Sequence, residues 1–572
     1  MREISPTKPS QPIRDLFNST GVATDISILS IFWILSIILV DPRGNFPLND
    51  DWSYGLAVKN LIEQGAFYPT PWTSMPLISQ ALWGAIFCIP FGFSFTALRF
   101  STLSLGLIGI AGTYLLLRLI GSNRLLAIIG SLLIAINPIY FALSFTFMTD
   151  VPFTAFSVLA LLSLILYLQK ESNIYLIIGG CFTTIAVLCR QLGLFLPIAF
   201  TIAVVAKHGI SLRSLVRVGS ILIVGFGSKF LFESWLQSNV GVPAFYNATS
   251  ESLFQVLENP ELIVSISTWN VLIFFIYLGL FLLPFTLMLP SPFAGLKPRI
   301  RFYGGIISGG FVVGSSIILL MLNKVLPQMD NVIIKSGIGP ITLHDIYLFK
   351  LQNTEPLPSF IWILVTAIAI LGGGLLILQI IGQLIQLYYN RSDIKNSPDS
   401  IVKIFFFSAS IFYFLPIIFT NHPFDRWLLP LIPLLCSAMM VPTTANITKK
   451  RFIVVHLVAL ILIVMAIFSI TGTRDYLSWN RARWQALNNL IEKESISPNE
   501  IDGGFEFNGW YLYNSNEPIT AQKNIWGGNN TRYMITMGPV RGFEFYREYT
   551  YDKWLPPGQA SIYVLRRSSI AK

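Results

Sequence analysis

The chain has 572 residues, of which 53% are hydrophobic and only 12% are charged, and its formal net charge is +10. Soluble globular proteins carry about 25% charged residues, so this composition excludes a soluble fold and makes lipid the solvent for most of the chain. The Lys and Arg residues that produce the positive charge fall between apolar runs, as in cytoplasmic loops of membrane proteins. No nucleic-acid partner is therefore predicted.

Apolar runs long enough to cross a membrane predict a polytopic α-helical protein with about 13 transmembrane helices. The predicted spans lie at about 26–40, 98–118, 124–143, 151–168, 173–189, 191–206, 214–236, 268–289, 303–322, 360–388, 403–420, 425–442 and 452–471.

One further apolar run, Pro76 to Phe93, holds Gln80 and is broken by Pro90 and Gly92, which favours an interfacial helix over a span. If this run does not cross the membrane, every strongly basic short loop falls on the same side as the basic N-terminus. This topology makes the N-terminus cytoplasmic and the C-terminus extracytoplasmic.

The same topology divides the chain into three parts. Residues 1–25 form a cytoplasmic segment, residues 26–471 form the transmembrane domain with a first outer loop at 41–97, and residues 472–572 form a small extracytoplasmic α/β domain. In that domain, helical periodicity covers Ser478 to Glu494, and strands are predicted at Glu500–Tyr513, Thr531–Met537, Gly542–Tyr551 and Ser561–Leu565.

The first candidate site is the adjacent pair Asp50 and Asp51, directly after the first span. Neighbouring carboxylates near a membrane surface disfavour each other's charge, which raises the pKa of at least one of them. Such a pair can act as a general base or bind a cation. A solvated loop with two incidental acids is the alternative.

Asp150 and Arg190 each stand between two apolar runs on the predicted outer side. A carboxylate at the edge of the hydrocarbon is usually functional, although Asp150 also suits a helix N-cap because Pro152 follows. Arg190 is a natural phosphate ligand in a setting of low dielectric constant. Its alternative is an interfacial arginine whose head reaches into water.

A turn at 422–427 supplies the last candidates, Arg426 as a second phosphate ligand and His422 as its helper, unless Arg426 simply pairs with Asp425. Asp50, Asp51 and Asp150 could also offer the hard oxygen ligands that Mg²⁺ or Mn²⁺ prefers. The sequence contains no Walker loop, dinucleotide fingerprint or HExxH motif. A nucleotide sugar or ATP as the direct donor is thus unsupported.

These motifs, in this order, resemble the GT-C membrane glycosyltransferases. The likeness rests on Asn49-Asp50-Asp51 after span one, Met75-Pro76-Leu77 before a short apolar helix, Arg99 at the head of the next span, Asp150 within 147–153, and Arg426-Trp427-Leu428-Leu429-Pro430. It covers roughly residues 20–450. The family 39-like branch, with the protein O-mannosyltransferases and the lipid A aminoarabinose transferase, is the most similar.

The resemblance implies a polyprenyl-phosphate sugar donor, an extracytoplasmic active site and an inverting transfer. It makes Asp50 the catalytic aspartate, Asp51 the second acidic position, Asp150 the second outer carboxylate and Arg426 the arginine of an Arg-Tyr-Leu-Leu-Pro stretch. Many relatives have Lys or His where this chain has Met75, so either another residue, with Arg190 as the candidate, supplies the phosphate clamp, or the donor is held differently.

The sequence thus predicts a glycosyltransferase of the bacterial plasma (inner) membrane, with a glycan, lipid or protein as acceptor. An O-antigen polymerase or ligase would depend mainly on outer arginines, and a lipid or glycan transporter would show inverted repeats and charges at mid-membrane. In the C-terminal domain, the aromatic residues of 501–510 are expected either to form its core or to meet a glycan acceptor.

Overall fold

The computed structural model describes residues 20–293, 296–440, 449–514 and 531–568. Residues 1–19 of the predicted cytoplasmic segment 1–25 and residues 441–442 of the predicted span 425–442 lie outside the described residues. The fold is a polytopic helical bundle with a small sheet domain at the C-terminal end, which confirms the predicted fold class. The helices of the bundle are α1 Thr20–Val40, α2 Asp51–Gln64, α3 Ile78–Cys88, α4 Phe95–Leu119, α5 Arg124–Ala135, α6 Pro138–Ser144, α7 Asp150–Lys170, α8 Asn173–Cys189, α9 Phe195–His208, α10 Leu212–Asn239, α11 Ala248–Leu257, α12 Pro260–Met288, α13 Pro298–Met321, α14 His344–Tyr347, α15 Ser359–Tyr389, α16 Pro398–Ile418, α17 Leu431–Ala438 and α18 Lys449–Asn488.

Within the described residues, ten helices are long and apolar enough to cross a membrane, and α5 with α6, bent by 58°, makes an eleventh if the pair is one span. Two of the predicted spans do not reach this length. Helix α8 has 17 residues, and the predicted span at 425–442 contains a 3-10 turn, Asp425–Leu428, followed by the eight-residue α17. Every residue from 425 to 440 is buried, so the apolar composition of this segment reflects protein packing and not contact with lipid.

Helix α3 occupies the apolar run that the sequence places at the interface. It has 11 residues, about 16 Å of helix, and is too short for a hydrocarbon layer of about 30 Å. Leu82 and Ile86 are exposed along it, and Ile89 and Phe91 are exposed just beyond its end. An exposed apolar face on a short helix is the pattern of a helix lying in the membrane surface.

Arg99 fixes the first loop to the bundle. Its guanidinium is fully buried and donates hydrogen bonds to the backbone oxygens of Phe145 (2.7 Å), Pro42 (2.5 Å), Gly44 (3.1 Å) and Phe46 (3.2 Å). A single side chain therefore holds the segment before Asp50 against the loop that leads into α7.

Two short strands between α13 and α15, β1 Ile333–Ile334 and β2 Gly337–Ile338, pair antiparallel. Among its described residues, the C-terminal domain has the strands β3 Ile501–Asp502, β4 Tyr533–Thr536, β5 Phe543–Trp554 and β6 Pro557–Arg567. They form one sheet with the order β3-β4-β6-β5. Strand β3 is parallel to β4, and the other pairs are antiparallel. The predicted strand positions at 531–537, 542–551 and 561–565 are matched by β4, β5 and β6. The helix α19 Phe505–Leu512 lies between β3 and β4 in the chain.

The predicted strand at Glu500–Tyr513 is wrong for most of its length, because it contains only the two residues of β3 and then helix α19. Residues 505–509 of α19 are all buried. These five residues show no helical spacing of exposed positions, so the alternation of Phe505, Glu506 and Phe507 resembled a strand.

Helix α18 has 40 residues and continues from the bundle into the C-terminal domain. It passes without interruption through the predicted domain boundary at 471–472. The domain limits themselves stay a prediction.

Candidate active site

The candidate site is a cavity of about 820 Å³ at the end of the bundle that faces the C-terminal domain. Three elements of the bundle and helix α19 supply its walls. They are the first loop, the segment between α13 and α15, and the turn before α17. Its lining residues are Asn49, Asp50, Trp72, Asp330, Asn331, Ile334, Lys335, Ser336, Pro340, Ile341, Thr342, Ile346, Tyr347, Lys350, Leu351, Gln352, Thr354, Pro356, Phe424, Arg426 and Phe505.

Asp50 presents its carboxylate to this cavity. It occupies the N-cap position of α2 but makes no side-chain capping hydrogen bond, and its side chain is 30% exposed. The Nη2 atom of Arg426 lies 3.9 Å from its Oδ2 atom. Burial raises the pKa of Asp50; Arg426 opposes this effect, while Glu506 and Asp150 add to it. A carboxylate of raised pKa is a stronger base than one in water.

Asp51 points into the protein instead. Its side chain accepts hydrogen bonds from the backbone N–H groups of Leu48 (3.2 Å) and Phe147 (2.8 Å) and is 2% exposed. Burial raises the pKa of Asp51 well above its usual value, although Arg99 and these two N–H groups favour the charged form. The residue joins α2 to the loop before α7, which is a structural arrangement.

Asp150 and Arg190 form a buried ion pair next to Arg426, and neither of them lines the cavity. Nη1 of Arg190 donates to Oδ1 of Asp150, and the two side chains are 9% and 2% exposed. Asp150 is the first residue of α7, after Thr149 in the N-cap position. The Oδ2 atom of Asp150 has no hydrogen bond and lies 3.9 Å from Nε of Arg426.

Arg426 connects the two carboxylates that face the site. Its Nε and Nη1 atoms are buried without a hydrogen-bond partner, and its guanidinium lies 4.6 Å from the ring centre of Phe424. Asp425 is turned away, because its oxygens accept from the N–H groups of Val332 (3.0 Å) and Ile333 (2.9 Å). Arg426 thus does not pair with Asp425, which was the alternative interpretation of this turn. Arg426 retains donors for an anionic ligand.

His422 is exposed on the turn and does not line the cavity. Its predicted role as helper of the phosphate ligands therefore has no geometric support. Asp50, Asp150, Arg190 and Arg426, in contrast, form one continuous group of charges.

The predicted divalent cation does not fit this group. Asp51 is committed to backbone N–H groups, and the guanidinium of Arg426 lies between Asp50 and Asp150 at 3.9 Å from each. A cation between these carboxylates would meet a positive charge. Among the described residues, no group of three or more His, Cys, Asp or Glu side chains is placed to hold a metal ion.

Sequence reasoning missed several residues of the site. Lys335 and Lys350 line the cavity from the segment between α13 and α15, a segment in which no motif marks them. Glu506 lies in a segment predicted as a strand, and nothing in the sequence around it indicates that it contacts the first loop. Trp72 and Phe505, both on the cavity wall, stack edge to face with ring centres 6.0 Å apart.

A family comparison agrees with these motifs. Residues 74–230 match the protein-family model described as dolichyl-phosphate-mannose-protein mannosyltransferase. This segment contains Asp150 and Arg190 but neither Asp50 nor Arg426. The resemblance to GT-C glycosyltransferases of this kind is thereby confirmed. No curated protein sequence matches the chain.

Solved structures of three membrane glycosyltransferases are similar to this chain. The oligosaccharyltransferase AglB from Archaeoglobus fulgidus, in complex with an inhibitory peptide and a dolichol-phosphate, is 17% identical, with a TM-score of 0.43 over 87% of this chain and 61% of that one. ArnT from Cupriavidus metallidurans, bound to undecaprenyl phosphate, is 13% identical, with a TM-score of 0.39 over 97% of this chain and 99% of that one. The Pmt1–Pmt2 complex of S. cerevisiae, bound to the sugar donor, is 16% identical, with a TM-score of 0.32 over 40% of this chain and 35% of that one.

Proposed function

We propose that this protein is a membrane glycosyltransferase that moves a sugar from a polyprenyl-phosphate carrier to an acceptor hydroxyl at the outer face of the plasma membrane. The observation that carries the proposal is the facing of Asp50 and Arg426 across 3.9 Å on the wall of one cavity. A base and a phosphate ligand are the two groups that this transfer requires. The family match over residues 74–230 supports the same reaction class.

The reaction proceeds by direct displacement. The acceptor oxygen attacks the anomeric carbon of the sugar while Asp50 takes the hydroxyl proton. The bond between that carbon and the phosphate oxygen breaks, and the polyprenyl phosphate leaves with the electron pair, so the anomeric configuration inverts. Positioning and charge stabilisation supply most of the acceleration, because a phosphate is a fair leaving group.

Arg426 is the principal phosphate ligand in this scheme. Its two buried, unbonded N–H groups can donate to phosphate oxygens as the negative charge develops. Arg190 pairs with Asp150, and Asp150 in turn lies 3.9 Å from Arg426. Arg190 therefore positions Arg426 through the Asp150 carboxylate. Lys335 and Lys350 extend the positive charge along the cavity.

Binding of undecaprenyl phosphate, the form in which such a carrier leaves, tests the phosphate site. Arg426→Ala should weaken binding by about 10- to 100-fold, since a charge-assisted hydrogen bond contributes about 1.5–3 kcal/mol. Arg299→Ala, at an exposed position on the first turn of α13, is the matched control and should bind as the wild type does. Equal affinity in both variants contradicts the assignment.

Transfer of labelled sugar by purified protein from a panel of polyprenyl-phosphate hexoses and pentoses tests the reaction itself. No transfer by the wild type from any donor, combined with carrier movement across proteoliposomes, favours the transporter alternative. Transfer that survives Asp50→Asn but not Arg426→Ala favours a polymerase-like enzyme that depends on arginine.

A further inference from the structure

Glu506, in the first turn of α19, reaches from the C-terminal domain to the residue before Asp50. Its side chain is fully buried. One carboxylate oxygen accepts from the backbone N–H of Asn49 at 2.9 Å. The other accepts from Thr342 Oγ1 at 2.5 Å and from Arg483 Nη2 at 2.8 Å. One carboxylate thus joins the first loop, the segment between α13 and α15, and helix α18.

The bond to Asn49 fixes an unusual backbone conformation. Asn49 has a φ of 53°, in the left-handed region that side chains other than Gly adopt rarely. The next residue, Asp50, immediately precedes α2. The backbone of Asn49 therefore sets the direction in which the Asp50 carboxylate points, and Glu506 is the partner that holds this backbone N–H.

A neutral side chain could accept the same hydrogen bond, so the charge of Glu506 needs its own reason. A buried carboxylate is costly unless it is paired. Arg483, itself fully buried, compensates it and is anchored by hydrogen bonds from Nε and Nη2 to the Gly503 oxygen at 2.9 and 2.6 Å. The negative charge nevertheless reaches Asp50, whose raised pKa it increases further.

We propose that Glu506 is a positioning residue of the transfer reaction: it orients Asp50 through the backbone of Asn49. The C-terminal domain is then part of the reaction machinery and not only an appendage of the bundle. This inference rests on the proposed function, in which Asp50 is the base.

Two variants separate charge from geometry. Glu506→Gln keeps the size and one acceptor oxygen for Asn49 but replaces the oxygen bonded to Thr342 and Arg483 and removes the charge. The acidic limb of the pH–rate profile should therefore move to lower pH. Glu506→Asp keeps the charge but is one methylene too short for Asn49. In that variant kcat should fall by about 10- to 100-fold, because a shift of about 1 Å in a reacting group can cost that much. KM for the donor should stay unchanged in both.

Glu500→Gln is the matched control. Glu500 lies in the same domain, is 39% exposed and pairs only with Arg532 at 3.4 Å among the described residues. Its pH–rate profile should coincide with that of the wild type. If Glu506→Gln also shows the wild-type acidic limb and Glu506→Asp the wild-type kcat, the proposal is overturned.

A second readout does not depend on turnover. Carbodiimide modification of Asp50, followed by peptide mass spectrometry as a function of pH, reports the protonation of that carboxyl directly. Its midpoint should lie lower in Glu506→Gln than in the wild type. If the wild type transfers no sugar but this midpoint moves, the proposed function fails while the coupling of Glu506 to Asp50 stands; an unmoved midpoint overturns the coupling.

Should Glu506→Gln not fold, Thr342→Val removes one hydrogen bond from the same carboxylate and leaves its charge in place. The expected result is a lower kcat with an unchanged acidic limb. An unchanged kcat in Thr342→Val contradicts the positioning role.

Discussion

The Nη2 atom of Arg426 lies 3.9 Å from the Oδ2 atom of Asp50, although 376 positions of sequence separate the two residues. The contact joins the first loop to the turn before α17 at the wall of the cavity. In the proposed reaction, this contact places the group that takes the proton next to the group that binds the leaving phosphate, so that both can act on one sugar.

Asp50→Asn should nearly abolish transfer. The amide keeps the size of the side chain but has no basicity, and general-base catalysis contributes about 10² to 10⁴ in rate. The measurement is the initial rate of labelled-sugar transfer, with undecaprenyl phosphate binding as evidence that the donor site is intact. Near-normal turnover would place the base elsewhere in the cavity.

The pH dependence of transfer should follow Asp50. A base acts only when it is deprotonated, so kcat/KM falls as the pH falls through the pKa of Asp50. Burial raises that pKa, and the midpoint of the acidic limb should therefore lie above about 3.9, the usual value for Asp. Asp150→Asn removes a neighbouring negative charge and should shift the midpoint downward. A limb at the usual value in the wild type contradicts this expectation.

Arg190→Ala should unfold at a markedly lower temperature than the wild type. It removes the hydrogen-bonded partner of Asp150, which is 2% exposed and keeps only Arg426 at 3.9 Å, and breaking a buried pair in this way costs about 3–5 kcal/mol. The double variant Asp150→Asn with Arg190→Ala should recover part of the loss, because no buried charge is then left unpaired. Thermal unfolding in detergent measures both. Equal unfolding temperatures for Arg190→Ala and the wild type would show that the pair is unimportant for stability.

Gly509→Ala should weaken the attachment of the C-terminal domain. A Cβ atom at this position would lie 2.4 Å from the ring of Trp52, which is fully buried. Overpacking of this kind costs about 1–3 kcal/mol. Limited proteolysis should release the domain faster in this variant. Gly309→Ala, with nothing within 4 Å of the added atom, is the control and should resist proteolysis as the wild type does.

The charged residues of the site show what the sequence could predict and what it could not. Asp50, Asp150, Arg190 and Arg426 were predictable as a set, because loops on one side of a membrane must converge and lone charges beside apolar runs stand out. Their pairing was not predictable. Nothing local indicates that Arg190 is committed to Asp150, or that Asp51 turns away from its neighbour toward Phe147.

Burial explains the two main errors in the predicted elements. The segment 425–440 is apolar because protein surrounds it, and such a segment has the same composition as one surrounded by lipid. Residues 505–509 of helix α19 are all buried, polar ones included, so their polarity does not follow the helical period. In both cases hydropathy shows that the segment avoids water. It does not show whether lipid or protein surrounds the segment.

Helix α18 sets a fixed height for the sheet of the C-terminal domain. Its 40 residues correspond to about 60 Å of helix, twice the thickness of a hydrocarbon layer of about 30 Å. The part of α18 beyond the hydrocarbon supports the sheet rigidly. Ser478 on this part donates a hydrogen bond to the backbone oxygen of Asp552 in β5 at 3.1 Å. If the proposed transfer occurs, its acceptor must fit between this sheet and the bilayer surface, so the length of one helix limits the size of the molecules that can reach Asp50.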